Sequence, residues 1–143
     1  MFEKEIINWF KKNKRDLPWR KTDAWGVLVS EFMLQQTPVN RVQPVYEAWI
    51  KKWPTAAALA QASTADVIKA WGRLGYPRRA LRLHECAKVI TSQYHGQIPH
   101  SEVLLRALPG IGEYTAAAIM AFAFSQRSLV LDINIRRFFA RCF

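Results

Sequence analysis

A single carboxyl, Glu31, stands inside the apolar stretch GVLVSEFML, with Val27, Val29, Phe32, Met33 and Leu34 around it. Apolar surroundings penalise the ionised form, so an acid placed there keeps its proton where an exposed one has lost it, and a retained proton can be delivered to a leaving group. The plain alternative for any one Glu is a solvated helix face. A second carboxyl, Asp132, opens the basic, aromatic run DINIRRFFAR, where an Asp ordinarily caps the helix that it precedes. Asn134 carries an amide able to orient that carboxylate or its water, or merely to face solvent. Between the two carboxyls, Leu108-Pro109-Gly110-Ile111-Gly112 interrupts what would otherwise be one long apolar helix. A tight turn there makes an αα-hairpin, with the glycines supplying positive φ and letting another backbone approach. It also leaves the first N–H groups of the second helix unpaired and outward, where the helix dipole favours an anion such as a phosphate. Most Pro-Gly turns between helices are only connectors, but this chain carries 21 Lys and Arg against 11 Asp and Glu, for a net charge of +10 and a pI near 10.1. That imbalance favours a polyanionic partner over a merely soluble basic protein.

The elements that must position these groups are helices. Apolar residues recur at helical spacing and strand alternation is nearly absent, so the fold is expected to be all-α. An amphipathic helix is expected over 3–14 with Ile6, Ile7, Trp9 and Phe10 opposite its lysines, and a largely buried one over 25–34. Pro38 opens a third helix that Pro54 stops, and Ser63 caps a short one carrying Val67, Ile68 and Trp71 into Gly72 and Gly75. A longer helix follows over 77–94, then one over 103–108 capped by Ser101, and the segment 113–124 is apolar nearly all round, which predicts burial on every side. The 143 residues suit one domain without linker or repeat. The longest apolar run, Ala116 to Phe124, is far short of the roughly 20 residues that cross a bilayer. The N-terminus lacks the pattern of a signal peptide, so a cytoplasmic, membrane-free protein is expected. Two cysteines, Cys86 and Cys142, are too few for a metal site of their own, and Cys86 suits a core.

LPGIGEYTAAAI resembles the helix-hairpin-helix of the endonuclease III superfamily of DNA glycosylases, and LVLDINIRRFFAR resembles the Asp-bearing segment that follows it. VSEFMLQQTPVNRV, LPWR and GRLGYPRRA are similar to elements of the MutY-type adenine DNA glycosylases, in that family's order and over essentially the whole chain. The resemblance implies a helix-hairpin-helix glycosylase fold with the six-helix barrel largely present over 21–125, its hairpin at 101–124, and the Asp segment at 126–143. Residues 1–20 would enter a second helical, iron–sulfur subdomain that is incomplete here. The chain is thus expected to be a fragment lacking both the cysteines of a 4Fe–4S cluster and a further domain that reads 8-oxoguanine. With part of its packing surface absent, the first helix would expose Ile6, Trp9 and Phe10.

By the same resemblance, Glu31 is the acid that protonates a ring nitrogen of adenine, and Asp132 stabilises the oxocarbenium-like sugar, with Asn134 orienting it. Tyr114 stands where strand-cutting members hold the Lys that forms a Schiff base, which implies a monofunctional glycosylase, with Tyr114 helping to hold the catalytic pair. Tyr76 matches the wedge that fills the gap left by an extruded base, and Gln36 and Thr37 match contacts to the lesion-bearing strand. Pro77 departs from an aromatic often found beside the wedge. Trp19 and Arg20 match a wall of the adenine pocket. Gly110 and Gly112, with Arg78, Arg79, Arg82, Lys88, Arg136 and Arg137, are candidates for phosphate, or for ordinary solvated faces. The implied partner is double-stranded DNA containing adenine opposite 8-oxoguanine or guanine, bound by a monomer. Two alternatives stand: a mismatch thymine glycosylase of the same superfamily, which would not be expected to keep the acid of SEFMLQQT, and a non-catalytic DNA-binding hairpin, which leaves Glu31 and Asp132 unexplained.

Overall fold

Four helix starts in the barrel are fixed locally by a short polar side chain. The computed structural model describes residues 2–143. Asp23 accepts from the Gly26 amide at 2.9 Å, Thr55 from Ala58 at 3.1 Å, Ser63 from Asp66 at 3.1 Å and Ser101 from Leu104 at 3.4 Å. Caps of this kind each stabilise a helix by about 1 kcal/mol. They begin α2 (Ala24–Leu34), α4 (Ala56–Ala60), α5 (Thr64–Trp71) and α7 (Glu102–Arg106). The other helices are α1 (Phe2–Asn13), α3 (Val39–Lys52), α6 (Arg78–Gln93), α8 (Glu113–Phe124) and α9 (Ile133–Cys142), with 3₁₀ turns at Pro18–Arg20 and Gly72–Leu74. Among the described residues there is no strand.

Helix α2 is the axis of the molecule. It is buried from Trp25 to Met33, and α3, α6, α8 and the Pro18–Arg20 turn all pack on it. Beside it the Trp49 ring meets Trp53 and Trp71 edge-on at 4.7 and 5.8 Å, and the Trp25 indole donates to the Trp53 carbonyl at 3.1 Å. These large rings close the gap between α3 and α5 and account for much of the apolar area removed from water. The five-residue helix α4, unforeseen in the sequence because its AAALA has no period to read, packs along α6.

Two expectations for the outer helices meet different outcomes. Ile6, Trp9 and Phe10 of α1 are exposed, as the sequence reading has it, and α1 meets α9 through stacked rings of Phe2 and Phe138 at 6.3 Å. The all-round burial of α8 is corrected: only Thr115 to Ile119 are buried, and Phe122 is 61% exposed. Helix α8 packs on α2 and α7, and Ser125 ends it in a left-handed turn (φ 53) ahead of the exposed Leu129.

Candidate active site

Glu31 lies on the α2 axis and is only 8% exposed. Burial alone pushes its carboxyl up from 4.5 to about 7, so near neutral pH it is poised between acid and carboxylate. Tyr114, the second residue of α8, has its phenol pushed up to about 12, first by burial and then by the negative fields of Glu31 and Asp132. Tyr114 of α8 thus lies in the field of two carboxyls distant in sequence, one on α2 and one at the start of α9. Gln35 ties α2 and α8 together, its amide donating to the Thr115 hydroxyl at 3.4 Å. Asp132 is half-buried and caps α9, its Oδ1 accepting from the Ile135 amide at 2.7 Å. The cap orients the carboxylate. Asn134 is exposed, and among the described residues it makes no hydrogen bond to Asp132.

One helical turn from Glu31, a cleft of about 310 Å³ is lined by Phe32, Gln35, Gln36, Tyr76, Arg78, Arg79, Arg82 and Gly110. It joins the QQT, GYPRR and LPGIG segments, which the sequence separates widely. Tyr76 is 66% exposed and, like Gln36, sits at positive φ (48 and 57). Such backbone costs a non-glycine residue on the order of 1 kcal/mol and persists only where the surroundings hold it.

Thr37 and Arg79 depart from their expected outward contacts. Thr37 is buried, its hydroxyl accepting from Arg79 at 2.8 Å and lying 3.3 Å from the Leu74 carbonyl. The Arg79 guanidinium donates to the carbonyls of Phe32, Met33, Gln35, Leu74 and Gly75. The physical cause is the end of α2, whose last carbonyls have no helical partner and draw the nearest strong donor inward.

Gly110 takes φ 78, and a Cβ there would come within 2.8 Å of the Phe32 ring and 3.0 Å of Arg82 Cβ. The approach is made by side chains, where the sequence reading expects another backbone. Gly112 is corrected: at φ −93 it needs no glycine conformation, and nothing of the protein lies within 4 Å of its missing Cβ. It opens α8 with no side-chain cap, leaving the leading amides of that helix without a side-chain partner. Arg78 is exposed at the cleft; Arg82 is exposed with Glu85 at 3.8 Å; Arg136 is exposed and reaches back to the Leu131 carbonyl at 3.4 Å. Lys88 and Arg137 are exposed. Trp19 is half-buried, edge-on to Tyr46 at 5.2 Å, in the turn that packs on α2. Arg20 is drawn toward α1 instead, donating to the Arg15 carbonyl at 2.8 Å with its guanidinium 5.3 Å from the Phe10 ring.

Sequence reading missed Phe32, the cleft floor under Gly110, and Arg41, which donates to the Arg73 carbonyl and braces the turn before Tyr76. An aromatic directly after a buried acid was the available signal for the first; nothing local marks the second. A 4Fe–4S cluster takes four thiolates. The chain has two cysteines, Cys86 sealed in the core with its thiol pushed up to about 12 and Cys142 exposed at the end of α9. These do not make up that ligand set.

Residues 29–143 match the model of the HhH-GPD superfamily of base excision DNA repair proteins. The chain is 55% identical over 139 residues to the adenine DNA glycosylase of Mycolicibacterium smegmatis, covering 96% of this chain and 47% of that one. It is 41% identical over 150 residues to the adenine DNA glycosylase of Homo sapiens, covering 98% and 28%. The chain thus spans less than half the length of these relatives. Among solved structures, a thermostable thymine-DNA glycosylase superposes with a TM-score of 0.88 at 30% identity, over 93% of this chain and 62% of that one. A non-covalent endonuclease III–DNA complex superposes at 0.83 and 19% identity, over 94% and 63%, and shares the fold. By its matched segment and its helical architecture, the chain belongs to the HhH-GPD superfamily of base excision DNA repair proteins.

Proposed function

We propose that this chain carries the chemistry of an adenine DNA glycosylase, hydrolysing the bond between deoxyribose and an adenine mispaired with 8-oxoguanine or guanine, without cutting the strand. The reading is supported by Glu31, a carboxyl buried within α2, with the Tyr114 phenol in the field of both it and Asp132. Glu31, neutral up to about pH 7, gives its proton to a ring nitrogen of adenine. The glycosidic bond breaks, its electron pair leaves with the base as neutral adenine, and the positive charge left on the sugar is met by Asp132. Water then adds its hydroxyl to the sugar carbon, with Asn134 holding it, and its remaining proton returns to Glu31. Tyr114 has no amine, so no imine forms and no strand cleavage follows.

DNA binding follows from the same surface. The uncapped amides at Gly112 and the arginines at 78, 82 and 136 take phosphates, Trp19 walls the base, and Tyr76 with Gln36 enters the stack when the adenine leaves it. A chain of net charge +10, with no helix among the described residues long and apolar enough to cross a membrane, suits a DNA-bound monomer of the cytoplasm. The family's cluster, if present in a longer protein, draws its ligands from elsewhere, and no step above passes through it.

The test is single-turnover release of adenine from a duplex pairing it with 8-oxoguanine. Glu31→Gln and Asp132→Asn are each expected to slow it by about 10²–10⁴-fold. Parent-like rates in both would sink the two-carboxylate reading. The likeness to a thymine-DNA glycosylase favours one rival, release of thymine opposite guanine, and a thymine·guanine duplex in the same assay separates the two. Efficient borohydride trapping through a lysine would contradict the monofunctional assignment.

A further inference from the structure

We propose that Arg79 is a positioning residue that latches the two DNA-facing tips of the cleft together, and is not a phosphate ligand. This rests on the reading that Tyr76 and Gln36 enter the duplex. One guanidinium reaches the carbonyls of Phe32 and Met33 at 3.1 Å and of Gln35 on one side, and those of Leu74 and Gly75 at 3.3 and 3.2 Å on the other. The Thr37 hydroxyl completes the set at 2.8 Å. The same group lies 5.2 Å from the Trp71 ring and 5.7 Å from the Tyr76 ring, so the wedge aromatic rests on the latch.

The two segments so joined carry Gln36 and Tyr76, both at positive φ and both without a side-chain hydrogen bond of their own among the described residues. A strained tip stays put only if the backbone beside it is fixed. Arg79 fixes both, since its donors occupy the carbonyl before Gln36 and the one before Tyr76. Held this way, the tips need no reorganisation on meeting a mispair, and losing the latch weakens their action together. Both terminal nitrogens of this guanidinium are spent on protein oxygens and its unpartnered Nε–H is buried, so it presents no donor to a phosphate, unlike the exposed Arg78 next to it.

Binding of a paired duplex and of an adenine·8-oxoguanine duplex, followed by fluorescence anisotropy across a salt series, separates latch from ligand. In Arg79→Gln the slope of log affinity on log salt stays at the parent value, whereas preference for the mispair falls by about tenfold. Adding Tyr76→Ala to that variant brings little further loss. Arg78→Gln does the reverse, lowering the slope by about 0.9 with the preference kept. A lowered slope in Arg79→Gln, or losses from Arg79 and Tyr76 that simply multiply, would overturn the proposal. Should Arg79→Gln melt before it binds, Arg79→Lys decides: an ammonium cannot span both sets of carbonyls, so full parental preference in that variant is equally fatal. A parent chain indifferent to the mispair removes the functional reading instead, and the slope comparison still settles which way Arg79 faces.

Discussion

Glu31 carries a conflict that defines its use. Burial keeps it protonated to about pH 7, and above this value the carboxylate takes over, which has no proton to donate. The acid limb of the reaction is therefore expected to be flat below neutrality and to fall toward tenfold per pH unit above about pH 7, in single-turnover rates measured from pH 5 to 9. A descending limb that begins below pH 5 would show an ordinary solvated carboxylate. At this scale the sequence was informative wherever neighbours alone set the environment. Five apolar residues flanking Glu31 are enough to predict its desolvation. They say nothing of Arg79, because the carbonyls that turn it inward belong to a helix end more than 40 positions away, joined by tertiary packing. The Thr37 hydroxyl was illegible for the same reason, its partner in the fold being Arg79. Asp132 was legible as the helix cap that it is.

Among the elements, the hairpin between α7 and α8 shows how far turn chemistry alone can be trusted. Its two glycines look equivalent in LPGIG, yet only Gly110 is left-handed and pressed against the Phe32 ring. Gly110→Ala is expected to destabilise the protein by about 1–3 kcal/mol, since the new Cβ strains the backbone and displaces an aromatic of the core. Gly112→Ala, in open space at φ −93, is expected to leave the melting temperature within error and to act, if anywhere, on DNA affinity, where the partner's phosphate would meet the methyl group. Thermal melts of the two variants side by side check the contrast; equal losses would mean that the glycines share one structural role. The longer helices were readable because caps and prolines punctuate the chain, and the misses are instructive. The short α4 offers too few residues for a period, and α8 was read as wholly buried because an apolar helix reveals its hydrophobicity but not how long its partner is. Only Thr115 to Ile119 of it are buried.

At the scale of the molecule, α2 is both the packing axis and the bearer of the acid, so the site's chemistry is written into global stability. Glu31 has a folded value of about 7 against 4.5 for the free side chain, which is the sense in which a raised carboxyl stabilises the fold fully below 4.5 and loses that contribution as pH rises through 7. The full difference is about 3 kcal/mol, an amount that a domain of this size feels as a shift of many degrees. His84, buried between α4 and α6, works on the opposite side: burial chiefly, and Lys88 next, lower its pKa, so its charging at acid pH costs stability as pH falls. The parent is expected to be most stable between these two limbs. Glu31→Gln removes only the alkaline one, so the variant should melt above the parent at pH 8 to 9 and approach it near pH 4 to 5, in calorimetric scans at constant ionic strength. Parallel curves for the two proteins would mean that Glu31 is not held neutral by the core. A converging pair would show that activity and stability make opposite demands on one side chain, since the burial that poises the acid is what the folded state gives up when that acid ionises.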